Sequence, residues 1–443
     1  MKPSRGRRAS RVGRALLGRL PQPWRHALFR RFVDCDPDPD PRLQLGIAAT
    51  RDDLESCFAL LHDAYVGSGF MKPHPSGLRV TPYHALPTTT TLYARFDGEV
   101  VGTLSIIREG VFGFPMQSAF DLAPLRAIPG RIAEISALAV HPRFRKTGGT
   151  VLFPLMKFMY EYCTRYFDTR HLVIAVNPNR IELYEALLFF RRLQAQVVDN
   201  YAFAGGAPAI GATLDLALAP ELFRAAYCGR PVRKDMHRYF TRTVLPNIRW
   251  PSRPYFTTND PVMSPALLDH FFNRRTKVFP ELDERRRRLL QAIYPEPTYA
   301  AVLPPVAPQA DAGAVRRHAR HSLRCPGRFA LAGVEPGSVP IEVLDVSASG
   351  CLVHAERALE AGTRGFVDVE LGIGCHSRVA ARVVRRSASL DGLLHGLQID
   401  APDAAWQRCI RHLEACSYGP GGAPAVAAAP AAEAPPTPAE CAC

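Results

Sequence analysis

The sequence predicts an α+β protein: a mixed β-sheet with flanking helices, followed by a small β-barrel. Three observations carry this. Residues 43–218 alternate strand-like and helix-like patterns in the order β-α-β-β-β-α-β-α-β, which argues for one mixed sheet. From about residue 314, short strand-like runs recur at regular spacing, the pattern of a small barrel. Between them, "PEPTYAAVLPPVAPQADAGA" has the Pro/Ala-rich composition of a linker.

The elements follow in order. Residues 1–42 form a basic arm and linker. "RALLGRLPQPWRHALFRRF" has an apolar side, and Pro21 and Pro23 limit it to two short helices. "DCDPDPDPR" is linker. "LQLGIAAT" reads as a strand, and "RDDLESCFALLHDAYV" as an amphipathic helix with Asp52 and Asp53 at its N-terminal dipole. "TTLYARFDGEVVGTLSII" reads as a hairpin turning at Asp97-Gly98. "RIAEISALAV" is a strand, "GTVLFPLMKFMYEYCTRY" a helix, "HLVIAV" a strand, "RIELYEALLFF" a helix and "IGATLDLAL" a closing strand. Residues 219–300 read as a helical extension of a domain spanning 43–300, with Ser264-Pro265 as a helix start. Residues 301–313 are linker. The second domain, 314–417, holds "RFALAG", "IEVLDVS", "GCLVHA", "RGFVDVEL", "SRVAARVVRRS" and "LLHGLQID", then a helix from "APDAAWQRCIRHLEAC". Residues 418–443 are Ala/Pro/Gly-rich and are expected to be disordered.

Composition excludes several classes. No apolar run approaches the roughly 20 residues of a membrane span. The basic first residues are followed by an apolar stretch too short and too interrupted for a secretory signal. Eleven Cys are dispersed without metal-type pairs, which predicts reduced thiols, no metal and a cytoplasmic setting. The net charge is +14, and residues 1–33 carry ten Lys or Arg and no acid, so most of the excess sits in the arm. That arm reads either as a peripheral contact with the inner membrane surface or as a segment packed on the body. It lacks a nucleic-acid reading motif, and Arg285 to Arg288 read as a solvated helix face.

Two stretches carry chemistry. "EISALAVHPRFRKTGGTVLFPLMKF" joins a strand to a helix through a basic, Gly-containing loop, whose backbone N–H groups suit phosphate. Arg143, Arg145 and Lys146 add positive charge, and Gly148 and Gly149 permit close approach. This part resembles the GNAT acyltransferase superfamily, whose Arg/Gln-x-x-Gly-x-Gly/Ala motif is matched by Arg145-x-x-Gly148 and then Thr150. It more closely resembles the long-chain N-acyl amino acid synthases, relatives of the acyl-homoserine lactone synthases, through "AEISALAV" leading into "HPRFR", "NPNRIELYEALLFF" and "GGAPAIGATLDL". The resemblance implies transfer of an acyl group from acyl carrier protein or coenzyme A to an amine. A single pantetheine phosphate would tolerate Thr150 where the motif has Gly or Ala, which favours the carrier protein. Its acidity would suit the loop's cations. A thioester is already activated, so the enzyme must orient an amine and take its proton. Glu134 is the expected base, with a polar edge residue as the plain alternative. Tyr184 stands where the superfamily has a Tyr near the leaving sulfur, or is a core residue. Asn177 contacts the pantetheine arm or caps a turn. Phe153, Met156, Phe158, Met159, Phe189 and Phe190 line an acyl chain or build a core.

The second stretch is "DVSASG", Asp345 to Gly350, a polar interruption in a strand-like run. A tight turn would explain it alone. Upstream, "VRRHARHSLRCPGRFAL" places Arg320 and Arg324 four apart. Arg-x-x-x-Arg with Asp-x-Ser-x-x-Gly resembles the PilZ domain, which implies cyclic di-GMP binding over residues 314–416. Arg grips phosphate and donates a fork to guanine O6 and N7. Arg320, Arg324, Asp345, Ser347 and Gly350 are the expected contacts, with Arg316 and Arg317 as further ones. The combined reading is an acyltransferase regulated allosterically by cyclic di-GMP. The alternatives are a coenzyme A-dependent small-acyl N-acetyltransferase and a non-catalytic cyclic di-GMP effector.

Overall fold

The computed structural model describes residues 20–145, 147–306, 319–331, 337–389 and 392–418. Expectations for the arm before residue 20, for 307–318 and for the tail beyond 418 lie outside the described residues.

Helix α1 (Gln22–Arg31) begins the described chain. It is one helix, because Pro21 caps it and Pro23 falls in its first turn, where the missing N–H has no helical partner anyway. It lies across a later helix, through Arg25 to Glu182 at 2.5 Å and Arg30 Nε donating to the Ala186 carbonyl at 2.8 Å. Residues 22–31 therefore pack on the body, while Trp24 and Phe32 stay 70% and 75% exposed.

β1 (Leu43–Ile47), α2 (Arg51–Gly67), β2 (Thr89–Phe96) and β3 (Glu99–Arg108) follow. Thr50 and Asp53 form a reciprocal cap at the start of α2. Asp97 and Gly98 both take left-handed φ, 49° and 85°, as a two-residue hairpin turn demands. A helical turn α3 (Ala123–Arg126) precedes β4 (Arg131–Val140), then α4 (Leu152–Tyr166), β5 (Thr169–Val176), α5 (Pro178–Leu188), two short strands β6 (Arg191–Arg192) and β7 (Val198–Tyr201), and β8 (Ala207–Asp215). Phe189, at φ 62°, ends α5, so Phe189 and Phe190 fall outside the expected helix. The sheet order is β1-β2-β3-β4-β5-β8-β6, with β7 on β8; only β4 and β5 pair in parallel. One face is covered by α4 and α5.

The extension carries α6 (Ala219–Tyr227), α7 (Met236–Thr241), β9 (Val262–Met263), α8 (Pro265–Leu268), a wider π-type turn Asp269–Arg275, and α9 (Glu284–Ile293). It is helical except around residues 249–261, which run extended and tie the two halves together. Asp260 is fully buried there and accepts from Tyr162 Oη at 2.7 Å, from Arg108 at 3.3 Å, and from Arg253 and Thr90. Burial alone would raise its carboxyl; Arg108 and Arg253 hold it below the usual range. Removing one member of such a set leaves buried charge uncompensated. Asp260→Ala is therefore expected to cost about 3–5 kcal/mol, measured by urea unfolding. The native stabilisation from this depressed carboxyl is present above the unfolded-state pKa and is lost as pH falls below it.

The barrel comprises β10 (His321–Leu331), β11 (Ser338–Ser347), β12 (Gly350–Ala355), β13 (Arg364–Gly372), β14 (Cys375–Ser389) and β15 (Gly392–Ala401), closed in the order β10-β11-β12-β15-β14-β13. α10 (Ala404–Ala415) plugs one side with Trp406, whose Nε1 donates to the Ser347 carbonyl at 3.0 Å. Beyond it β16 (Ser417–Tyr418) pairs with β9 in the N-terminal body. The extended segment also augments the barrel: Thr258 N–H donates to Ser322, Arg324 N–H to Phe256, and Phe256 N–H to Leu371. No described helix is long and apolar enough to cross a membrane.

Candidate active site and candidate nucleotide site

The sheet comes apart at Glu134. β4 and β5 pair through Arg131↔Thr169, Ile132↔His171, Ala133↔Leu172 and Glu134↔Val173, and no further. Beyond that point β5 stays with β8 and β4 with β3. The gap is a V with Glu134 at its vertex, opening between the edges of β4 and β5. Ala137, at φ 54°, marks a bulge where the β3–β4 register shifts, bending the strand beside the gap.

Alternation along β4 puts Glu134 on the face opposite α4. Ala133 packs with Leu155 and Phe158 of α4. Ile132, two residues before Glu134, packs with Tyr83, Phe114, Met116, Phe120 and Tyr201. Glu134 is 1% exposed, and its Oε2 accepts the Met116 N–H at 3.0 Å. Burial pushes its carboxyl up to about 8 against the pull of that amide. A carboxyl poised there exchanges protons readily with an amine near neutral pH.

Around Glu134 the loops supply residues that the sequence pattern did not mark. Tyr201 Oη is buried without a partner among the described residues. Its phenol is held well above its ordinary pKa by burial and then by Glu134, with Arg79 pulling the other way. Arg79 lies over the Tyr65 ring at 4.0 Å and the Phe203 ring at 5.2 Å. Arg79 lies on a loop, Phe203 on a short turn and Tyr201 at the end of β7, and their partners are distant in sequence.

The β4–α4 loop is built as a close-approach turn. Gly148 and Gly149 take φ 71° and 93°. A Cβ on Gly149 would stand 2.4 Å from the Phe153 ring, and one on Gly148 3.3 Å from Asp34 Oδ2. Arg145 Nε donates to the Val140 carbonyl at 2.8 Å, Arg143 approaches Glu99 at 3.5 Å on the surface, and the Thr147 and Thr150 hydroxyls meet at 2.6 Å. Lys146 lies outside the described residues. Asn177 caps α5, accepting from Asn179 N–H at 3.0 Å. Tyr184 packs edge-on against Phe190 and shares an apolar cluster with Ile135, Leu138 and Val176 of the two diverging strands. Burial raises its phenol, with Arg180 opposing, so it stays protonated and can donate. Phe153, Met156, Phe158, Met159 and Phe190 are buried in the core, and half-buried Phe189 packs against it.

At the barrel the two motifs meet. Arg320 donates to both Asp345 oxygens at 3.0 Å, and Asp345 Oδ1 also accepts the Leu352 N–H at 3.1 Å. Arg324 Nε reaches Glu342 at 2.5 Å, and its Nη1 reaches Asp168, at the foot of β5 in the N-terminal body. Arg131, at the foot of β4, lies in the same charge cluster. Burial lowers its pKa first, then Arg324, with Glu342 and Asp168 opposing. Ala348 and Ser349 form the turn, and buried Ser347 donates to the Gly350 carbonyl at 3.0 Å. Gly350 lets the neighbouring strand come close: a Cβ there would lie 2.5 Å from the Leu397 carbonyl oxygen. Arg316 and Arg317 lie outside the described residues. Among the described residues no group of His, Cys, Asp or Glu is placed to hold a metal.

Residues 56–215 match the family model of the N-acyl amino acid synthase FeeM, and residues 314–415 match the PilZ domain. Similar solved structures include FeeM from uncultured soil microbes (23% identity, 41% of this chain and 94% of that one, TM-score 0.35). The coenzyme A-dependent acyl-homoserine lactone synthase BjaI also matches (22%, 46% and 92%, 0.34), as does the cyclic di-GMP-bound PilZ domain of YcgR from Escherichia coli (19%, 23% and 92%, 0.20). No curated protein matches at a significant level. By the family models, residues 56–215 form an N-acyl amino acid synthase domain, and residues 314–415 form a PilZ domain.

Proposed function

We propose that this protein moves a long-chain acyl group from an acyl carrier protein to the amine of an amino acid, under control of cyclic di-GMP bound at the barrel. The observation that carries the catalytic half is a buried Glu134 at the vertex of the β4–β5 gap. The acceptor nitrogen attacks the thioester carbonyl while its proton passes to Glu134. The carbon–sulfur bond then breaks, and the departing sulfur takes a proton from Tyr184. Unpaired β4 backbone facing the gap supplies N–H donors for the oxyanion. A carrier-bound donor is favoured by Thr150, which stands where the phosphate-loop motif has Gly or Ala and suits a single phosphate better than a pyrophosphate. The exposed Arg143 suits an acidic carrier surface. Contact with an anionic membrane, as part of the same reading, would use exposed Trp24 and Phe32.

The test is acyl transfer by the purified protein from matched acyl-carrier-protein and acyl-coenzyme A donors, alongside mass spectrometry of lipid extracts from an expressing strain. N-acyl amino acids and faster consumption of the carrier-bound donor are expected. Turnover confined to acetyl-coenzyme A would instead make it a small-acyl N-acetyltransferase. Cyclic di-GMP binding with no transfer from any donor would make it a non-catalytic effector.

A further inference from the structure

Arg79 is a cation without an anion. Among the described residues it makes no ion pair. One terminal nitrogen donates to the Phe203 carbonyl at 2.6 Å, the other reaches Met71 Sδ at 3.9 Å, and the Tyr65 hydroxyl is a further neutral partner. The Tyr65 and Phe203 rings fix its plane. A guanidinium has five N–H donors, and none of these neutral partners supplies a counter-charge. Burial lowers its pKa, and only the Tyr65 and Tyr201 phenols oppose that. A partly desolvated cation is costly unless an anion arrives to meet it.

Its position gives that anion an identity. Phe203 packs on the cluster that holds Met116, Ile132, Tyr83 and Tyr201, which is the face of the sheet where Glu134 points. Met116 holds Glu134 by its amide. The Tyr201 ring lies 6.1 Å from Phe203, and its buried hydroxyl lacks a partner among the described residues. Base and cation therefore flank one tyrosine on one side of the V. An α-amino acid carries its amine and its carboxylate on a single carbon, so it can address both at once.

We infer that Arg79 binds the α-carboxylate of the acceptor amino acid, with the Tyr201 hydroxyl donating to it, and so aims the amine at Glu134. The inference rests on the proposed N-acylation of an amino acid. It makes Arg79 a specificity-determining residue: planar, bidentate recognition of carboxylate is what its fork supplies.

The test compares an amino acid with its carboxamide, which keeps the amine and the side chain and loses the negative charge. kcat/KM is measured for both with wild type, Arg79→Gln and Arg79→Lys. Wild type is expected to favour the acid by on the order of 10²-fold, the size of losing one partner of a buried charge pair. Arg79→Gln should erase that preference mainly through KM of the acid, and Arg79→Lys should retain part of it. The preference is a ratio within one preparation, so a partly folded variant still reports it. An unchanged ratio in Arg79→Gln, or no preference in wild type, overturns the role of Arg79 and leaves the acyltransferase intact. No acylation of either compound by wild type overturns both.

Discussion

Glu134→Gln is expected to lower kcat by about 10²–10⁴-fold, the contribution of a positioned general base, and to do so without destabilising the fold. The second half follows from the same burial that makes the residue useful. The native carboxyl titrates at about 8, well above an unfolded glutamate. As pH rises from the ordinary carboxylate range to 8, the unfolded state ionises and the native state resists, so Glu134 subtracts from stability across that window. A neutral glutamine keeps an oxygen for the Met116 N–H and removes the penalty. At pH 8 the variant should therefore unfold at the same temperature as wild type or higher, while transferring acyl groups far more slowly. Wild-type kcat should rise with pH and level above about 8, and that limb should vanish in Glu134→Gln. A variant that retains wild-type kcat removes Glu134 from the mechanism. One that loses rate and stability together would make it a structural residue.

What was legible in the sequence was local. The Asp97-Gly98 hairpin, the capped α2 and the regular barrel strands each follow from residues within a few positions of one another. The Arg-x-x-x-Arg and Asp-x-Ser-x-x-Gly pair was legible because both motifs have fixed spacing, and the structure brings Arg320 onto Asp345. The vertex at Glu134 was only half legible. Its strand could be read, but its burial comes from Met116, on a turn 18 positions upstream, and from Tyr201, at the end of β7. Phe153, Met156, Phe158 and Met159 were ambiguous because a helix face that meets a core and one that meets an acyl chain use the same residues. The segment around residues 249–261 is extended where the sequence predicts a helical extension. Its prolines and single polar residues have no periodicity, and its bonds go to Ser322, Arg324 and Leu371, more than sixty positions away. Asp168 carried no signal at all.

Asp168 supplies the second large expectation, because it makes the nucleotide motif part of the acyltransferase. Arg320→Ala combined with Arg324→Ala is expected to weaken cyclic di-GMP binding by on the order of 10²-fold or more, since two charge-assisted phosphate or guanine contacts are lost. Asp168→Asn should act in the opposite direction. Arg324 is held by Glu342 and Asp168, and a dinucleotide that recruits Arg324 must displace at least one of them. Asp168 is mostly exposed, so the gain in affinity from freeing Arg324 should be modest, a few-fold. Its consequence lies elsewhere. Asp168 precedes β5, and Arg131 opens β4 in the same charge cluster, about 10 Å along the strand from Glu134 at 3.3 Å per residue. Arg324 also hydrogen-bonds Phe256, on the segment that Arg253 and Asp260 anchor to Tyr162 of α4. Ligand capture of Arg324 would thus act at the foot of both strands that diverge at the candidate active site. Coupling of this kind is reciprocal in binding. Acyl donor should shift the dissociation constant for cyclic di-GMP in wild type, and that shift should shrink in Asp168→Asn. Calorimetric titration of cyclic di-GMP with and without a non-hydrolysable acyl-thioester analogue measures both effects. Undiminished binding by the double arginine variant would sink the site, whereas an intact shift in Asp168→Asn would sink this route of communication alone.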